Sequence, residues 1–432
     1  MRSNYKKLGA YIQEVDVKNT SGREDNLLGV STQKVFIESI ANTVGTDFTK
    51  YKVVKRKQFT YVSDTSRRGD KIGLAMLEHL DEGRVSQVYT VFEIIDHNKL
   101  DSEYLMMWFR RPEFDRYARF MSHGSVREIF GWDEMCGVEL PIPSIEKQRE
   151  IVREYNVVVN RIKLIEQLNQ KLEEAAQTIY KRWFVDFEFP ISADYAASSG
   201  KPELEGKPYK SSGGEMVNGD GVFSSLPRTW KASSLKKITC KIGSGATPKG
   251  GKTSYQDAGI ALIRSLNIWD YNFIYDDLAF INTTQAKKLS NIEVLKDDVL
   301  INITGVSVAR CYKAPKNILP ARVNQHVAIV RPNLDANISN YLVCALCSTD
   351  YKSRLLGVSE GGSTRQALTK ADLEKCEILM PGKEVLRSFE RLASPIFSKK
   401  DRLSEEGLAL LKTKLLILSR MATIDQAMKD AA

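Results

Sequence analysis

Two long stretches of the chain place apolar residues at the spacing of a helix that packs along another helix. The first alternates steps of four and three, and the second repeats every seventh residue, which is the heptad pattern of a coiled coil. The pattern predicts two long helices that form an intramolecular antiparallel pair. The seam residues are Ile151, Tyr155, Val158, Ile162, Ile165, Asn169, Leu172, Ala176, Ile179 and Trp183, and then Phe389, Ile396, Leu403, Leu410 and Ile417.

Polar residues interrupt both predicted seams. Asn169 stands where an apolar residue is expected, so its amide either fixes the helix register or faces solvent at the edge. The second seam is less apolar, because Lys400, Gly407 and Lys414 occupy its alternate positions. The second helix therefore needs the first helix as its partner. Pro395 predicts a kink or a late start of the second helix.

The remaining sequence reads as two mixed segments joined by a linker. Short runs of β-branched residues alternate with Gly, Asn and Asp turns ahead of each long helix, and Ser144 is a candidate N-cap for the first helix. Residues 190–221 have the Gly, Ser and Pro content of a linker.

The chain repeats itself once, at a constant offset. Pro143 and Pro381 match at a distance of 238 residues, and two further stretches match upstream at the same distance without a gap. The chain is therefore predicted to be two related halves. The matching stretches are VELPIPSIEKQREI (138–151) with CEILMPGKEVLRSF (376–389), GSVR (124–127) with GSTR (362–365), and GRVSQVYTVF (83–92) with ARVNQHVAIV (321–330).

Composition favours a polyanionic partner and a reducing compartment. The 432 residues include 63 Lys and Arg against 54 Asp and Glu, a net charge of +9. No apolar run approaches the length of a membrane span, and the start lacks the apolar core of a signal peptide. Six scattered cysteines fit reduced thiols. We therefore expect a cytoplasmic protein.

Motifs for catalysis, metal binding or nucleotide binding are weak or missing. The Gly-rich loop KIGSGATPKGGKTSYQDAGI (241–260) misses the frame of a phosphate-binding loop by one residue. Cys344 and Cys347 form a single C-x-x-C without a second pair, which favours buried thiols over zinc. There is no H-E-x-x-H and no nucleophile elbow. We therefore predict no catalytic residue and no metal site in this chain.

Polar loops in both halves carry side chains suited to DNA. Arg and Lys pair with guanine or hold phosphates, and Asn and Gln pair with adenine. For each single residue the alternative is a solvated surface charge. The candidates are Lys55, Arg56, Lys57, Arg67, Arg68, Lys71, Arg84, Gln87, Arg127, Lys249, Lys252, Arg264, Asn267, Arg310, Arg322, Gln325 and Arg365.

The chain resembles the DNA-specificity subunits of type I restriction-modification systems along nearly its whole length. The resemblance rests on LPIPSIEKQREIV, on KLEEAAQTIYKRWFVDFEFP with its WFVDFE at 183–188, and in the second half on LPRTWKASSLKKI, IGSGATPKGG, YQDAGIALIRSLNI and GGSTRQALTKADLEKCEILMP. Two departures are visible. The first half lacks the LPxxW opening found at 226–230, and the second long helix lacks a WFVDFE ending.

The resemblance implies an α+β fold with two target-recognition domains separated by two long antiparallel coiled-coil helices. Each domain would read one part of a split, asymmetric DNA site, and KIGSGATP would be a strand and turn near DNA. The implied boundaries are a first recognition domain at 1–143, a central helix at 144–189, a linker at 190–224, a second recognition domain at 225–381 and a C-terminal helix at 382–427.

The resemblance also implies partners. Two methyltransferase subunits would dock on the chain and restriction (motor-nuclease) subunits would join them, so that S-adenosylmethionine, ATP and Mg belong to the partners. Docking candidates are Trp183, Phe184, Phe187 and Phe189, for which the alternative is an aromatic cap on the chain's own domain. Two other functions remain as alternatives: a coiled-coil adaptor whose basic loops are incidental, and a nucleotide-using enzyme built on the 243–253 loop.

Overall fold

The chain folds into two compact units. The computed structural model describes residues 5–39, 45–65, 71–123, 128–219, 223, 225–248, 250–333, 337–361 and 366–422, without the side chain of residue 252. The first unit contains Met1–Leu164 and Ala409–Ala432, and the second contains Ile165–Leu408. Two long helices, α4 and α11, each contribute residues to both units.

The strands and helices of the first half recur in the same order in the second half, which also contains additional elements. Up to the first long helix they are β1 Tyr5–Lys7, β2 Ile12–Val15, β3 Leu27–Val30, β4 Phe36–Glu38, β5 Lys52–Lys55, β6 Phe59–Val62, β7 Gly73–Met76, β8 Glu82–Val85, β9 Thr90–Ile94, α1 Ser102–Phe109, α2 Pro112–Met121, α3 Trp132–Cys136, β10 Glu139–Pro141 and α4 Ile145–Tyr180, which is followed by a π-helical turn at Lys181–Val185.

The second half continues to the other long helix. Its elements are α5 Ala193–Ser198, β11 Met216–Asn218, β12 Ser225–Pro227, β13 Lys231–Ser234, α6 Leu235–Ile238, β14 Thr239–Ser244, β15 Ile260–Ile263, β16 Ile268–Trp269, β17 Asn272–Phe273, β18 Ala279–Ile281, α7 Thr283–Lys288, β19 Glu293–Val294, β20 Val299–Asn302, β21 Cys311–Lys313, β22 Ala321–Val323, β23 Val327–Pro332, α8 Ser339–Cys347, α9 Thr349–Glu360, α10 Lys370–Lys375, β24 Glu377–Met380 and α11 Lys383–Arg420.

Sheet topology confirms the internal repeat. The first unit has four-stranded sheets in the orders β2-β9-β6-β7 and β4-β3-β8-β5, and the second has β14-β23-β20-β21 and β18-β15-β22-β19. One parallel pair occurs in each set, β3 with β8 and β15 with β22, and the other pairs are antiparallel. The strand that opens each half, β1 or β13, pairs with the strand before the long helix, β10 or β24.

Each unit buries a core of aromatic and aliphatic side chains. In the first unit Phe59 stacks on Phe92 with ring centroids 5.0 Å apart, and Phe109 of α1 meets both rings edge-on. In the second unit α8 is buried along most of its length, and Cys344 is fully buried within it. Cys344 therefore acts as a small core residue, as the sequence predicted, and Cys347 beside it is half-buried.

The long helices pair in antiparallel fashion in the second unit. Ile165 lies beside Gly407, Glu173 lies beside Lys400, and the rings of Trp183 and Phe389 have centroids 6.0 Å apart. Residue numbers rise along α4 while they fall along α11, as the predicted seams require.

The first unit contains a second section of the same two helices. Ile151, Val152 and Tyr155 of α4 share one buried core with Leu418 and Met421. In this unit too, the early part of α4 meets the late part of α11, so the predicted antiparallel pair is confirmed within each unit.

Lys400 is the polar residue that crosses the helix pair in the second unit. Its Nζ lies 3.2 Å from a carboxylate oxygen of Glu173 and donates to the backbone oxygen of Asn169 over 3.3 Å. Burial lowers the pKa of the Lys400 ammonium, and the charge of Glu173 opposes this effect. The side chain of Asn169 is half-buried, and its Oδ1 has no hydrogen-bond partner among the residues that the structure describes. Lys400, which occupies a weak position of the predicted seam, is therefore buried and paired with Glu173.

The observed ends of the two long helices agree with the sequence prediction at some points and differ at others. The first long helix ends at Tyr180 and continues as the π-helical turn to Val185, whereas residues 186–189, which were predicted to be helical, are not. Ser144 is its N-cap as predicted, with Lys147 N donating to Ser144 Oγ over 3.4 Å. Of the two alternatives predicted from Pro395, a kink or a late start, the late start is excluded, because α11 begins at Lys383 and includes Pro395. Helix α11 ends at Arg420, and residues 423–427 of the predicted C-terminal helix lie outside the residues that the structure describes.

The segment predicted as a linker is folded where the structure describes it. It forms α5 and β11, and Ile191 and Tyr209 are buried in the core of the second unit. The ring of Phe189 stacks between Tyr209 at 4.6 Å and Trp230 at 4.7 Å. A few apolar side chains therefore outweigh the Gly, Ser and Pro content of the segment, because each finds a place in the core.

Membrane insertion has no support in the described helices, since none of them is both long and apolar enough to cross a bilayer.

Removal of Phe389 tests the aromatic contact between the helices. Phe389 is fully buried and meets Tyr180, Trp183 and Phe184. We expect Phe389→Ala to lower the free energy of unfolding by about 3–5 kcal/mol, because the cavity adds to the lost burial. The exposed Leu392 of the same helix is the control, and Leu392→Ala should cost no more than about 0.5 kcal/mol. Equal shifts of the urea midpoint in both variants would contradict the packing.

Glu390 should make stability fall as pH rises from about 4.5 towards neutrality. Its carboxylate accepts hydrogen bonds from Tyr341 N (2.9 Å) and Asn340 Nδ2 (2.7 Å) at the start of α8, and burial raises its pKa to about 7. The folded state therefore binds a proton between about pH 4.5 and 7 that the unfolded state has lost, so this contribution to stability fades over that window. Urea unfolding from pH 5 to 8 should show a decline of up to about 1.4 kcal/mol per pH unit. This decline should be weaker in Glu390→Gln, and an unchanged pH dependence would contradict the assignment.

Candidate nucleic-acid interface

Several loops of each unit leave the sheets at one common edge, which we call the loop edge. In the first unit, β6 ends at Val62 and β8 at Val85, and residues 63–65 and the turn 86–89 follow them. In the second unit, β20 and β22 end in the same way, and the loop 303–310 and the turn 324–327 follow. The shared topology therefore gives both units the same set of connecting loops.

Matching backbone hydrogen bonds hold the loop edge in the two units. In each, the loop after the central strand is joined by two bonds to a segment that lies shortly before the long helix. The bonds are Thr65 N to Glu128 O (3.1 Å) and Phe130 N to Ser63 O (2.9 Å) in the first unit, and Gly305 N to Gln366 O (2.9 Å) and Leu368 N to Ile303 O (2.8 Å) in the second.

Gln87 and Gln325 occupy matching turns at the loop edge, and both are exposed. Each is the second residue of a four-residue turn. The amide of Gln325 is held in place, because Thr247 donates its hydroxyl to Gln325 Oε1 and Nε2 lies 3.0 Å from a ring nitrogen of His326. The sequence match between the two glutamines thus corresponds to a match in structure.

The Gly-rich stretch of the second half is a strand followed by a tight loop at this edge. Strand β14 ends at Ser244, and a Cβ added to Gly245 would lie 1.8 Å from the backbone oxygen of Val323. Gly245 is therefore required by a close approach of two backbones. The predicted strand and turn are present, and they bring Thr247 to Gln325.

Arg264 and Arg310 also lie at the loop edge of the second unit. Arg264 follows β15, donates to the backbone oxygen of Asp277 and lies 5.6 Å from the ring centroid of Tyr255. Arg310 stacks on Trp269, with its guanidinium carbon 3.8 Å from the ring centroid. Together with Gln325, they are the predicted DNA contacts that the structure brings together in this unit.

The prediction that Arg84 and Arg322 contact DNA is wrong, because both side chains are buried. Arg84 Nη1 lies 3.2 Å from Asp25 and its Nη2 lies 2.7 Å from Glu82. Arg322 donates from Nε to the backbone oxygen of Ala286 over 3.1 Å. The two arginines stand at matching places in the strands β8 and β22. Their repetition in the sequence therefore reflects the same structural role inside each unit.

Asn267 is also wrong as a base contact. Its side chain is fully buried, and Nδ2 donates to the backbone oxygens of Ile274 (2.9 Å) and Asp276 (3.2 Å). Its Oδ1 accepts from Arg264 N over 3.0 Å. Asn267 therefore closes a loop and offers nothing to a ligand.

Of the other predicted contacts, three lie away from the loop edge, one lies at it, and six cannot be placed because their side chains lie outside the described residues. Lys55, Arg56 and Lys57 are exposed in the turn between β5 and β6, which lies at the opposite end of the strands, and Arg56 pairs with Asp81 over 2.9 Å. Lys71 is exposed and lies at the loop edge of the first unit. Arg67, Arg68, Arg127, Lys249, Arg365 and the side chain of Lys252 lie outside the residues that the structure describes.

The aromatic residues predicted for docking are internal to the second unit. Trp183, Phe184 and Phe189 are buried and Phe187 is half-buried. Three of these rings (Phe184, Phe187 and Phe189) lie within 6 Å of Trp230, at 5.7, 5.6 and 4.7 Å between centroids. The alternative interpretation, an aromatic cap on the chain's own domain, therefore describes them better than a surface for a partner.

Sequence reasoning missed three residues at the loop edge, Thr304, His326 and Trp269. Thr304 Oγ1 lies 2.6 Å from His326 Nδ1, and this pair fastens the loop 303–310 to the turn 324–327. Trp269 is exposed under Arg310. The signal for His326 was available, since it follows Gln325 in the repeated stretch, whereas nothing in the sequence pattern singled out Trp269.

The fold and the sequence each relate the chain to known proteins. The structure superposes on the S subunit of a type I restriction-modification system from M. genitalium with a TM-score of 0.57 and 11% identity, covering 97% of this chain and 95% of that one. The chain thus has the fold of such an S subunit. No protein-family model matches the chain.

Two curated relatives indicate the class of protein to which the chain is similar. The chain is 24% identical over 412 residues to the type I restriction enzyme HindI specificity subunit of Haemophilus influenzae, covering 86% of each chain. It is 24% identical over 330 residues to the MjaIX specificity subunit of Methanocaldococcus jannaschii, covering 76% of this chain and 70% of that one. This chain is therefore a homologue of type I restriction enzyme specificity subunits, which confirms the predicted resemblance and the prediction of a specificity subunit in place of a catalytic one.

Replacement of Arg84 should cost stability and leave surface properties unchanged. We expect Arg84→Ala to lower the free energy of unfolding by about 2–3 kcal/mol, because charged hydrogen bonds inside the unit are lost. Gln87→Ala, three residues away and exposed, should change it by less than about 0.5 kcal/mol. Urea unfolding of the free chain measures both. A stable Arg84→Ala variant would return this residue to the candidate DNA contacts.

Proposed function

We propose that the chain is the DNA-reading specificity subunit of a type I restriction-modification complex, and that it recognises a bipartite, asymmetric site. Support comes from the loop edge, which occurs once in each unit on the same strand framework and carries a glutamine in the same turn. Two similar frameworks with different loop sequences suit two half-sites of different sequence. The net charge of +9 suits a phosphate backbone.

The long helices set the gap between the half-sites in this proposal. Helix α4 contains 36 residues and α11 contains 38. At about 1.5 Å per residue each is more than 50 Å long, which exceeds one turn of B-DNA. A gap of unread base pairs between two defined stretches follows from this length.

Catalysis belongs to partner subunits in this proposal. Two methyltransferase subunits would bind S-adenosylmethionine, and restriction subunits would use ATP and Mg, while this chain positions them on DNA in the cytoplasm. The relatives support this division of labour, because they are specificity subunits of type I restriction enzymes. The buried aromatic cap leaves the docking surface for these partners to be found elsewhere on the chain.

Mapping of methylated bases tests the proposal directly. The chain is co-expressed with the methyltransferase subunit from its own locus in a host without other methylation. We expect a split motif, two short defined stretches around a fixed gap, because each unit reads its own half-site. The methyltransferase subunit alone should give no such motif. A soluble complex of the two subunits that methylates no defined site would favour the coiled-coil adaptor.

The same measurement tests the helices as a spacer. Deletion of one heptad from each helix, residues 159–165 and 407–413, keeps the seams in phase and shortens the pair by about 10 Å. The gap should shrink by about three base pairs at about 3.4 Å per base pair while both half-sites stay the same. An unchanged gap would remove the spacer role and leave the two-domain recognition intact.

A further inference from the structure

The second unit displays an apolar side chain at the tip of a braced loop. Val306 is 99% exposed, although it lies between the buried strands β20 and β21. The base of the loop is closed by Ala309 N to Asn302 O (2.9 Å), and Val308 N donates to Gly305 O (3.0 Å). A valine that contacts nothing in its own unit contributes nothing to the core, so its exposure is informative.

Bonds from two other segments hold this loop in place. Gly305 N donates to Gln366 O over 2.9 Å, and Thr304 is tied to the ring of His326. Ala309 adopts a φ of +64°, which is unfavourable for a residue with a Cβ, and its side chain is buried. The loop is therefore fixed in one shape, and this shape presents Val306 outward.

Arg310 ends the same loop with a guanidinium that is oriented but unpaired. Trp269 covers one face of it at 3.8 Å, and the Trp269 side chain is itself 47% exposed. Within the described part of the chain, the Arg310 side chain makes no hydrogen bond and no ion pair. Arg264, the other arginine at this loop edge, in contrast donates a hydrogen bond to the backbone oxygen of Asp277. Stacking fixes the plane of a guanidinium while its N–H groups remain free to donate.

We infer that Val306 and Arg310 read bases of the second half-site, with Trp269 as the positioning residue for Arg310. This inference rests on the proposed function and names the contacts of one of its two sites. An oriented arginine donates two hydrogen bonds to guanine in the major groove, and valine methyl groups suit the methyl group of thymine. Both residues lie at the loop edge beside Gln325, whose amide is likewise held in one orientation.

Three single variants in the complex with the methyltransferase subunit test the inference. Affinity for the wild-type site is measured by fluorescence anisotropy, and the methylated motif is mapped in parallel. Arg310→Ala should weaken binding about tenfold or more and relax one position of the second half-site only. Trp269→Ala should act in the same direction, and Trp269→Phe should restore most of the affinity, because an aromatic face is kept.

Val306→Ala separates base reading from stability, because a fully exposed valine supports no core. It should relax a preference for thymine in the second half-site and leave the urea midpoint unchanged. Leu295→Ala is the matched control: Leu295 is also an exposed apolar residue of this unit, but it lies at the opposite end of β20. It should change neither affinity nor motif.

The outcomes distinguish this inference from the proposed function. A wild-type split motif that stays unchanged in Val306→Ala and Arg310→Ala overturns the inference alone. Uniform weakening across all positions in Arg310→Ala means a phosphate contact and overturns base reading by this residue. Absence of any split motif with the wild-type chain overturns the proposed function, and this inference with it.

Discussion

The parallel pairing of two strands is the constraint on which the loop edge of each unit depends. Strands β3 and β8 run side by side in the same direction, as do β15 and β22, so their carboxyl ends and the loops that follow reach one edge. A buried arginine, Arg84 or Arg322, stands on the second strand of each pair and satisfies acidic side chains or backbone oxygens. The loops can vary in sequence because this support lies beneath them.

Periodicity and repetition predicted the framework well, and side-chain roles poorly. The heptads gave the helix pair and the offset of 238 residues gave two units of one topology, because both are patterns that recur over many residues. Arg84 and Asn267 were misjudged for a physical reason. Burial of a polar residue depends on partners far away in sequence, such as Asp25 for Arg84, and no local pattern reports them. Gln87 and Gln325, which the sequence places in turns, are exposed in the structure, because turns lie on the surface.

The folded segment after α4 and the buried lysine on α11 are two further cases in which a local sequence pattern does not predict the environment of a side chain. A stretch rich in Gly and Ser forms part of a core because Tyr209 and Phe189 stack there. Lys400 occupies a seam position that apolar residues normally fill, and it is tolerated because Glu173 and a backbone oxygen accept hydrogen bonds from its ammonium group. Composition and heptad position describe an average environment, whereas one partner at hydrogen-bond distance decides the individual case.

The two loop edges share a backbone framework and differ in the side chains that they carry. Gln325 is fastened by Thr247 and His326, whereas the residue that follows Gln87 is an exposed valine, Val88, which forms no such bond. The matching backbone bonds from Thr65 and Gly305 show that this difference does not arise from a change in the frame. A repeated frame with unlike side chains is what two different half-sites require, because the frame fixes where bases are met and the side chains fix which bases are accepted. Recognition can then change in one unit without disturbing the other, because the exposed side chains of each loop edge, such as Gln87 and Gln325, lie outside the core.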